Sequence, residues 1–148
     1  MDVDIRTEIV IARPPAEVAA YAGDPTNAPD WYVNISSVEW ETPPPAAVGS
    51  RIAFVAHFLG RRIAYTYEIT ELVPDERLAM RTAQGPFPMQ TTYTWEPVPE
   101  GTRMTLRNAG RPSGFGALTA PLLARAMRRA NEKDLAALAA ALEQPGRG

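Results

Sequence analysis

The sequence has no cysteine and only one histidine, His57, and both scarcities narrow its chemistry. Without cysteine there are no disulfide bonds, no thiolate nucleophile and no thiolate metal ligands. One histidine cannot supply the histidine sets of common zinc and iron sites, so we expect no metal. The strand pattern described below places His57 on the outward face beside Arg51 and Val55. We therefore assign no catalytic residue from the sequence.

Charge imbalance and long apolar runs are also lacking. The net charge is −2, so no overall field attracts nucleic acid or an anionic membrane. No apolar run approaches the ~20 residues of a membrane span, and the charged stretch between Asp2 and Glu8 is unlike a signal peptide. Gly110, Gly114 and Gly116 lack the spacing of a phosphate-binding loop. We expect a cytoplasmic protein with no cofactor, no nucleic-acid partner and no membrane span.

The size and composition are those of one ordinary domain. The chain has 148 residues, of which 45% are hydrophobic and 22% are charged. A chain of this length can bury a sizeable core, and these proportions are typical of globular proteins. We therefore expect a single domain over residues 1–148.

The C-terminal segment is the longest periodic stretch and predicts a helix over residues 113–142. Ser113 suits the N-cap position, and Pro145 with Gly146 would end the element. About thirty residues would make a rod of roughly 45 Å. Its apolar side chains recur at spacings of mostly three and four, and form one stripe: Leu118, Leu122, Leu123, Met127, Ala130, Leu135, Leu138 and Leu142. A helix with such a stripe must bury it against another element.

Upstream of this helix, alternating apolar and polar residues predict seven strands. The first covers residues 3–11, and two short helices follow at residues 15–21 and 27–32. The other strands are separated by turn signals and cover residues 37–41, 51–58, 62–72, 77–82, 87–96 and 102–108. Hairpin-length connections indicate antiparallel neighbours. The predicted class is α+β, with an antiparallel sheet covering the C-terminal helix on one face.

The inward face of this sheet is rich in aromatic side chains, methionines and uncharged polar groups. The polar groups either form hydrogen bonds within an ordinary core, or line a pocket that orients an aromatic or polyketide-like ligand. Trp31 and Tyr32 either belong to the core at one end of the sheet or lie at the entrance of the pocket. Residues 85–89 and 110–116 are candidate gates to that pocket. The candidate ligand-binding residues are Trp31, Tyr32, Phe54, Phe58, Tyr65, Tyr67, Met80, Phe87, Met89, Thr91, Tyr93, Trp95, Asn108, Leu118 and Leu122.

Several short motifs occur in an order that resembles a known superfamily. They are Arg13-Pro-Pro-Ala-Glu-Val18, residues 24–31, Val48-Gly49-Ser50, residues 67–71 followed by Pro74, the hairpin residues 93–103, and Lys133-Asp134-Leu135. In order and spacing they resemble the START-like, or SRPBCC, superfamily, which includes birch-pollen-allergen-like and polyketide cyclase/dehydrase-like proteins. The resemblance implies the helix-grip fold, a seven-stranded antiparallel sheet wrapped around a long C-terminal helix, with two short helices after strand 1. It also implies a cavity between sheet and helix.

The resemblance leaves two functions open, because proteins of one fold carry out different activities. The first is binding of a small hydrophobic ligand, of aromatic, lipid or polyketide-like type, in that cavity. The alternative is a polyketide cyclase/dehydratase-type enzyme that uses the same cavity, where a tyrosine or asparagine assists enolisation. The inward face of the predicted strands offers no carboxylate, lysine or histidine, and this favours binding over acid–base catalysis. The ligand and the oligomeric state stay open.

Overall fold

A curled antiparallel sheet forms the larger part of the structure, a computed structural model that describes residues 2–116 and 118–144. In these residues the sheet has seven strands in the order β1-β7-β6-β5-β4-β3-β2. The strands are β1 (Val3–Ile11), β2 (Ile35–Trp40), β3 (Arg51–Phe58), β4 (Arg61–Val73), β5 (Arg77–Gln84), β6 (Met89–Val98) and β7 (Gly101–Gly110). The helices are α1 (Pro15–Ala22), α2 (Ala28–Trp31), which a short 3₁₀ turn precedes, and α3 (Ala120–Glu143).

Strands β2 to β7 pair with their sequence neighbours, and β1 pairs with β7. A two-residue turn joins β3 to β4, and both of its residues, Leu59 and Gly60, have positive φ angles. Such a turn matches the right-handed twist of the two strands. The β4–β5 register shifts between Thr66 and Tyr67 and again between Ile69 and Glu71. Irregularities of this kind bend a strand, and they accompany the curl of the sheet around α3.

Helix α3 begins at Ala120, so the predicted start at Ser113 is wrong. Gly114 and Gly116 have positive φ angles, which do not fit a right-handed helix. Pro121 then confines the start, because a proline is tolerated only in the first turn of a helix. The predicted end near residue 142 agrees with the observed end at Glu143, and the predicted stop at residues 145–146 lies outside the described residues.

The inner side of α3 packs against the sheet, most closely at β1, while α1 contacts β6 and β7 and α2 contacts β2 and α3. Leu123, Leu135, Leu138 and Leu142 of α3 are buried. At the C-terminal end of α3, Glu143 accepts a hydrogen bond from the backbone N–H of residue 12, which follows β1, at 2.8 Å. None of the described helices combines the length and hydropathy needed to cross a membrane. The packing leaves a space between the middle of α3 and the sheet.

Candidate functional site

A cavity of about 170 Å³ lies between the inner face of the sheet and α3. Side chains from β3 to β7, from α3 and from the segments around α2 and before α3 line it. The structure brings most of the predicted ligand-binding side chains into this lining: Tyr32, Phe54, Phe58, Tyr65, Tyr67, Met80, Phe87, Met89, Thr91, Tyr93 and Asn108. The alternation along the strands therefore identified side chains that line one cavity.

The aromatic part of the lining is built by strand parity and register. Tyr65 and Tyr67 are two residues apart on β4, and Phe54 of β3 lies directly opposite Tyr65. Their ring centroids are 5.0 Å apart for the two tyrosines and 5.5 Å apart for Phe54 and Tyr65. Tilted aromatic pairs at such distances attract each other. These rings form an aromatic wall on one side of the cavity.

Four of the predicted residues lie outside the lining. Trp31 is buried behind it, with its ring 4.2 Å from that of Tyr32. Trp95 faces inward, but it lies farther along β6, close to Gly23 at the end of α1. Leu118 precedes α3 and does not line the cavity, and Leu122 is 51% exposed. Leu118 was misplaced because α3 starts later than predicted, whereas Leu122 lies within α3 but on the side of the helix opposite the buried Leu138.

The polar groups of the cavity form a directed chain of hydrogen bonds. Thr91 donates to the amide oxygen of Asn108 at 2.6 Å, and this uses its single hydroxyl proton. Tyr67 must therefore be the donor in its 2.7 Å bond to Thr91. The amide nitrogen of Asn108 donates to Asn131 Oδ1 on α3 at 3.2 Å. The chain ends at Asn131 Nδ2, a buried donor without a partner among the described residues.

Asp134 of α3 is an inward carboxylate that the sequence analysis missed. It lines the cavity and is only 2% exposed. Its Oδ1 atom accepts a hydrogen bond from the backbone N–H of Val33 at 2.8 Å. Burial raises the pKa of Asp134 to about 7, although the Val33 bond acts in the opposite direction. The expectation of no inward carboxylate considered only the strands, and it did not cover α3, which supplies Asp134.

Three tyrosines of the same cavity lining, Tyr32, Tyr65 and Tyr93, are influenced by the charge of Asp134. Tyr32 and Tyr93 share a 2.7 Å hydrogen bond between their hydroxyls, and Tyr65 belongs to the adjacent wall. Burial raises the pKa of all three, and the charge of Asp134 raises each pKa further. These phenols therefore stay protonated at neutral pH, and each keeps a hydroxyl proton that it can donate. One hydroxyl of the Tyr32–Tyr93 pair donates to the other, so the second keeps a proton for a third partner.

One end of the cavity is closed by three half-buried phenylalanines. Phe115, before α3, lies 5.8 Å from Phe58 and 6.0 Å from Phe87 between ring centroids. The Arg61 guanidinium lies over the Phe87 and Phe115 rings at 5.8 and 5.3 Å, and it donates a hydrogen bond to the Ser113 carbonyl. Phe87 and Phe115 belong to the two segments predicted as gates, and Arg61 holds the segments together.

The other chemical groups considered in the sequence, His57 and a metal-binding cluster, do not contribute to the cavity of the described residues. His57 is exposed on β3 and pairs across the ladder with Arg62, as the strand parity indicated. Within residues 2–116 and 118–144, no group of three or more histidine, aspartate or glutamate side chains has an arrangement that could hold a metal ion. The cavity therefore offers phenols, amides and one carboxyl group as its own chemical groups.

A family model described as polyketide cyclase / dehydrase and lipid transport matches residues 2–143. The chain therefore belongs to this family, and the predicted superfamily resemblance is confirmed. Among curated proteins, none is significantly similar in sequence. The family and its structural relatives fit both classes of function that the sequence suggested, a fold for hydrophobic-ligand binding or for polyketide cyclisation.

Solved structures confirm the helix-grip fold. The protein TTHA0849 from Thermus thermophilus is 24% identical, with a TM-score of 0.82 over 95% of this chain and 97% of that one. The Zhui aromatase/cyclase from Streptomyces sp. R1128 is 18% identical, with a TM-score of 0.80 over 100% and 98%. A START superfamily protein from Mycobacterium smegmatis is 14% identical, with a TM-score of 0.79 over 97% of both chains. At these identities the likeness concerns the fold.

Proposed function

We propose that this protein binds a small, largely apolar molecule with one ring in the cavity between the sheet and α3. The observation that carries the proposal is the cavity itself, whose lining is mostly apolar and includes many aromatic and methionine side chains. Binding sites for small molecules combine such apolar walls with a few convergent polar groups. Here the polar groups are the Tyr32–Tyr93 hydroxyls, the Asn131 amide and Asp134.

The volume supports a ligand of modest size. An apolar cavity of roughly 150 Å³ is known to hold benzene, whereas drug-sized ligands occupy pockets of about 300–1,000 Å³. At about 170 Å³, the cavity fits one substituted six-membered ring. A larger ligand would need the Phe87 and Phe115 rings to move away from the closed end. Phenol and its methyl-substituted relatives therefore match both the volume and the hydroxyl-rich lining.

A second candidate function is a cyclase or dehydratase acting on a polyketide-like substrate. Asp134 favours it, because a carboxyl group in an apolar cavity with a pKa near neutrality is suited to acid–base catalysis. The sequence argument against catalysis rested on the expected lack of any such group. A chain of several ketide units, however, exceeds the present volume and would require the gate segments to open.

Calorimetric titration with p-cresol tests the binding proposal. Ala130 on α3 lines the cavity, so Ala130→Phe should fill it and abolish the binding heat. Ala140→Phe places the same ring on the exposed side of the same helix and should leave binding unchanged. Thermal unfolding of both variants checks that they stay folded. If p-cresol does not bind the wild type, or binds equally to the folded Ala130→Phe variant, the proposal is wrong.

A further inference from the structure

The position of Asp134 is not explained by packing or by its hydrogen bond. Its carboxyl group accepts one bond, from the Val33 N–H, and an asparagine amide oxygen could accept that bond equally well. Burying an ionisable group in an apolar space costs free energy unless a partner compensates. No lysine, arginine or histidine contributes to the pKa of Asp134. A carboxyl group kept at such a cost suggests a chemical role.

The groups around Asp134 have complementary properties. The Tyr32–Tyr93 hydroxyl pair keeps one proton available for a third oxygen atom. Neither phenol ionises near neutrality, since burial raises both pKa values. One turn before Asp134 on α3, Asn131 presents the amide nitrogen that ends the hydrogen-bond chain. The cavity therefore combines one base with fixed hydrogen-bond donors in a mostly apolar lining.

We propose that the cavity catalyses proton transfer at a carbon next to a carbonyl group, with Asp134 as the base and the Tyr32–Tyr93 hydroxyls as donors to the enolate oxygen. The inference rests on the proposed binding function, because the ketone must first occupy the cavity. The substrate class is a cyclic ketone of one ring, which the volume of about 170 Å³ admits.

The reaction needs no further reagent. The Asp134 carboxylate removes a proton from the α-carbon, the C–H electron pair forms a C=C bond, and the carbonyl electron pair moves onto oxygen. The hydroxyl pair donates a hydrogen bond to that oxygen, where donors aimed at developing charge are most effective. In a β,γ-unsaturated ketone, protonated Asp134 then returns the proton to the γ-carbon. The carbonyl group re-forms, and the double bond ends in conjugation with it. No atom is gained or lost, and nothing is oxidised.

The ionisation of Asp134 suits this role. Burial raises its pKa to about 7, so near pH 7 about half of the molecules hold the carboxylate. The titratable groups that face it are Tyr32 from the α2 end, Tyr65 from β4 and Tyr93 from β6, and burial raises the pKa of each. None of them titrates in the same range, so the rate should rise with pH along a single inflection near 7.

Three measurements on two ketones, cyclohexanone and 3-cyclohexen-1-one, test the inference. Calorimetry measures binding of cyclohexanone, and NMR in D₂O measures the exchange of its α-protons; conversion of 3-cyclohexen-1-one to the conjugated isomer is followed by absorbance. The wild type should accelerate both reactions over buffer, and Asp134→Asn should lower the rate about 100-fold or more. Glu132→Gln, at an exposed neighbour on α3, should match the wild type. Tyr93→Phe should cause a smaller loss, because the Tyr32 hydroxyl remains.

The possible outcomes separate the two proposals. Exchange that depends on Asp134 and shows the inflection near pH 7 supports the inference. Binding without any acceleration over buffer, or equal rates for the wild type and Asp134→Asn, overturns the inference and leaves the binding function standing. If the wild-type protein binds p-cresol but neither ketone, the inference is wrong and the binding function stands; if it binds neither p-cresol nor the ketones, both proposals are wrong.

Discussion

Asp134→Asn should make the protein more stable at neutral and alkaline pH. The substitution keeps an oxygen that can accept the Val33 N–H and removes the buried charge. The pKa of Asp134 is about 7 in the folded protein, against an ordinary value of 3.8. Each pKa unit corresponds to about 1.4 kcal/mol, so the gap corresponds to roughly 4 kcal/mol.

The sign follows from proton binding. Between pH 4 and pH 7 the folded wild type holds a proton on Asp134 that the unfolded chain has lost, so its stability falls as the pH rises through this range. Below pH 4 the wild type and Asp134→Asn should be nearly equal in stability, and above pH 8 the variant should be more stable by up to about 4 kcal/mol.

Urea unfolding of both proteins between pH 4 and pH 9 measures this difference. Other titrating groups are common to the two proteins and cancel when their unfolding free energies are subtracted. A difference that stays constant over the whole range would refute the burial of an ionising carboxyl group at this position.

Three further substitutions test the packing and the closed end. Leu138→Ala, at a fully buried α3 position, should lower the free energy of unfolding by about 2–5 kcal/mol in urea titrations; a loss below about 1 kcal/mol would contradict its place in the core. Gly101→Ala should destabilise more than Gly49→Ala, because both glycines have positive φ but only at Gly101 would the new Cβ collide with the Ile11 carbonyl oxygen; equal melting temperatures would contradict this. Arg61→Ala should speed p-cresol dissociation in stopped-flow experiments because it removes the contacts over Phe87 and Phe115, whereas Arg62→Ala, at an exposed position, should not.

The strand periodicity predicted most of the fold because a half-buried strand must alternate. Phe54, Tyr65 and Tyr93 all have the parity that turns them towards α3, and all three line the cavity. Alternation tells on which face of the sheet a side chain lies, but not how far along the strand the cavity extends. Trp95 therefore shares the inward face and still lies against Gly23, outside the lining. To tell the Tyr93 position from the Trp95 position, one must know where α1 lies against the sheet. Local sequence patterns do not carry that information.

Asp134 shows what sequence reasoning missed in the candidate site. A charged residue on a helix is solvent-exposed in most cases, so the helix was searched only for its apolar stripe. Residue 134 nevertheless lies four residues after Ala130 and four before Leu138, which places it on that stripe. The interruption of the stripe by a carboxylate was the available signal. Its meaning depends on the tyrosines of β4 and β6, which only the fold brings near.

The central claim is that the space between the sheet and α3 binds a single-ring molecule. A crystal structure with 4-iodophenol tests it most directly, because anomalous scattering from iodine locates the ligand independently of the protein atoms. We predict an iodine position inside the cavity, within van der Waals contact of Phe54 and Met80, with the phenol oxygen near the Tyr32–Tyr93 pair. Iodine found only on the protein surface, at saturating ligand concentration, would contradict the account.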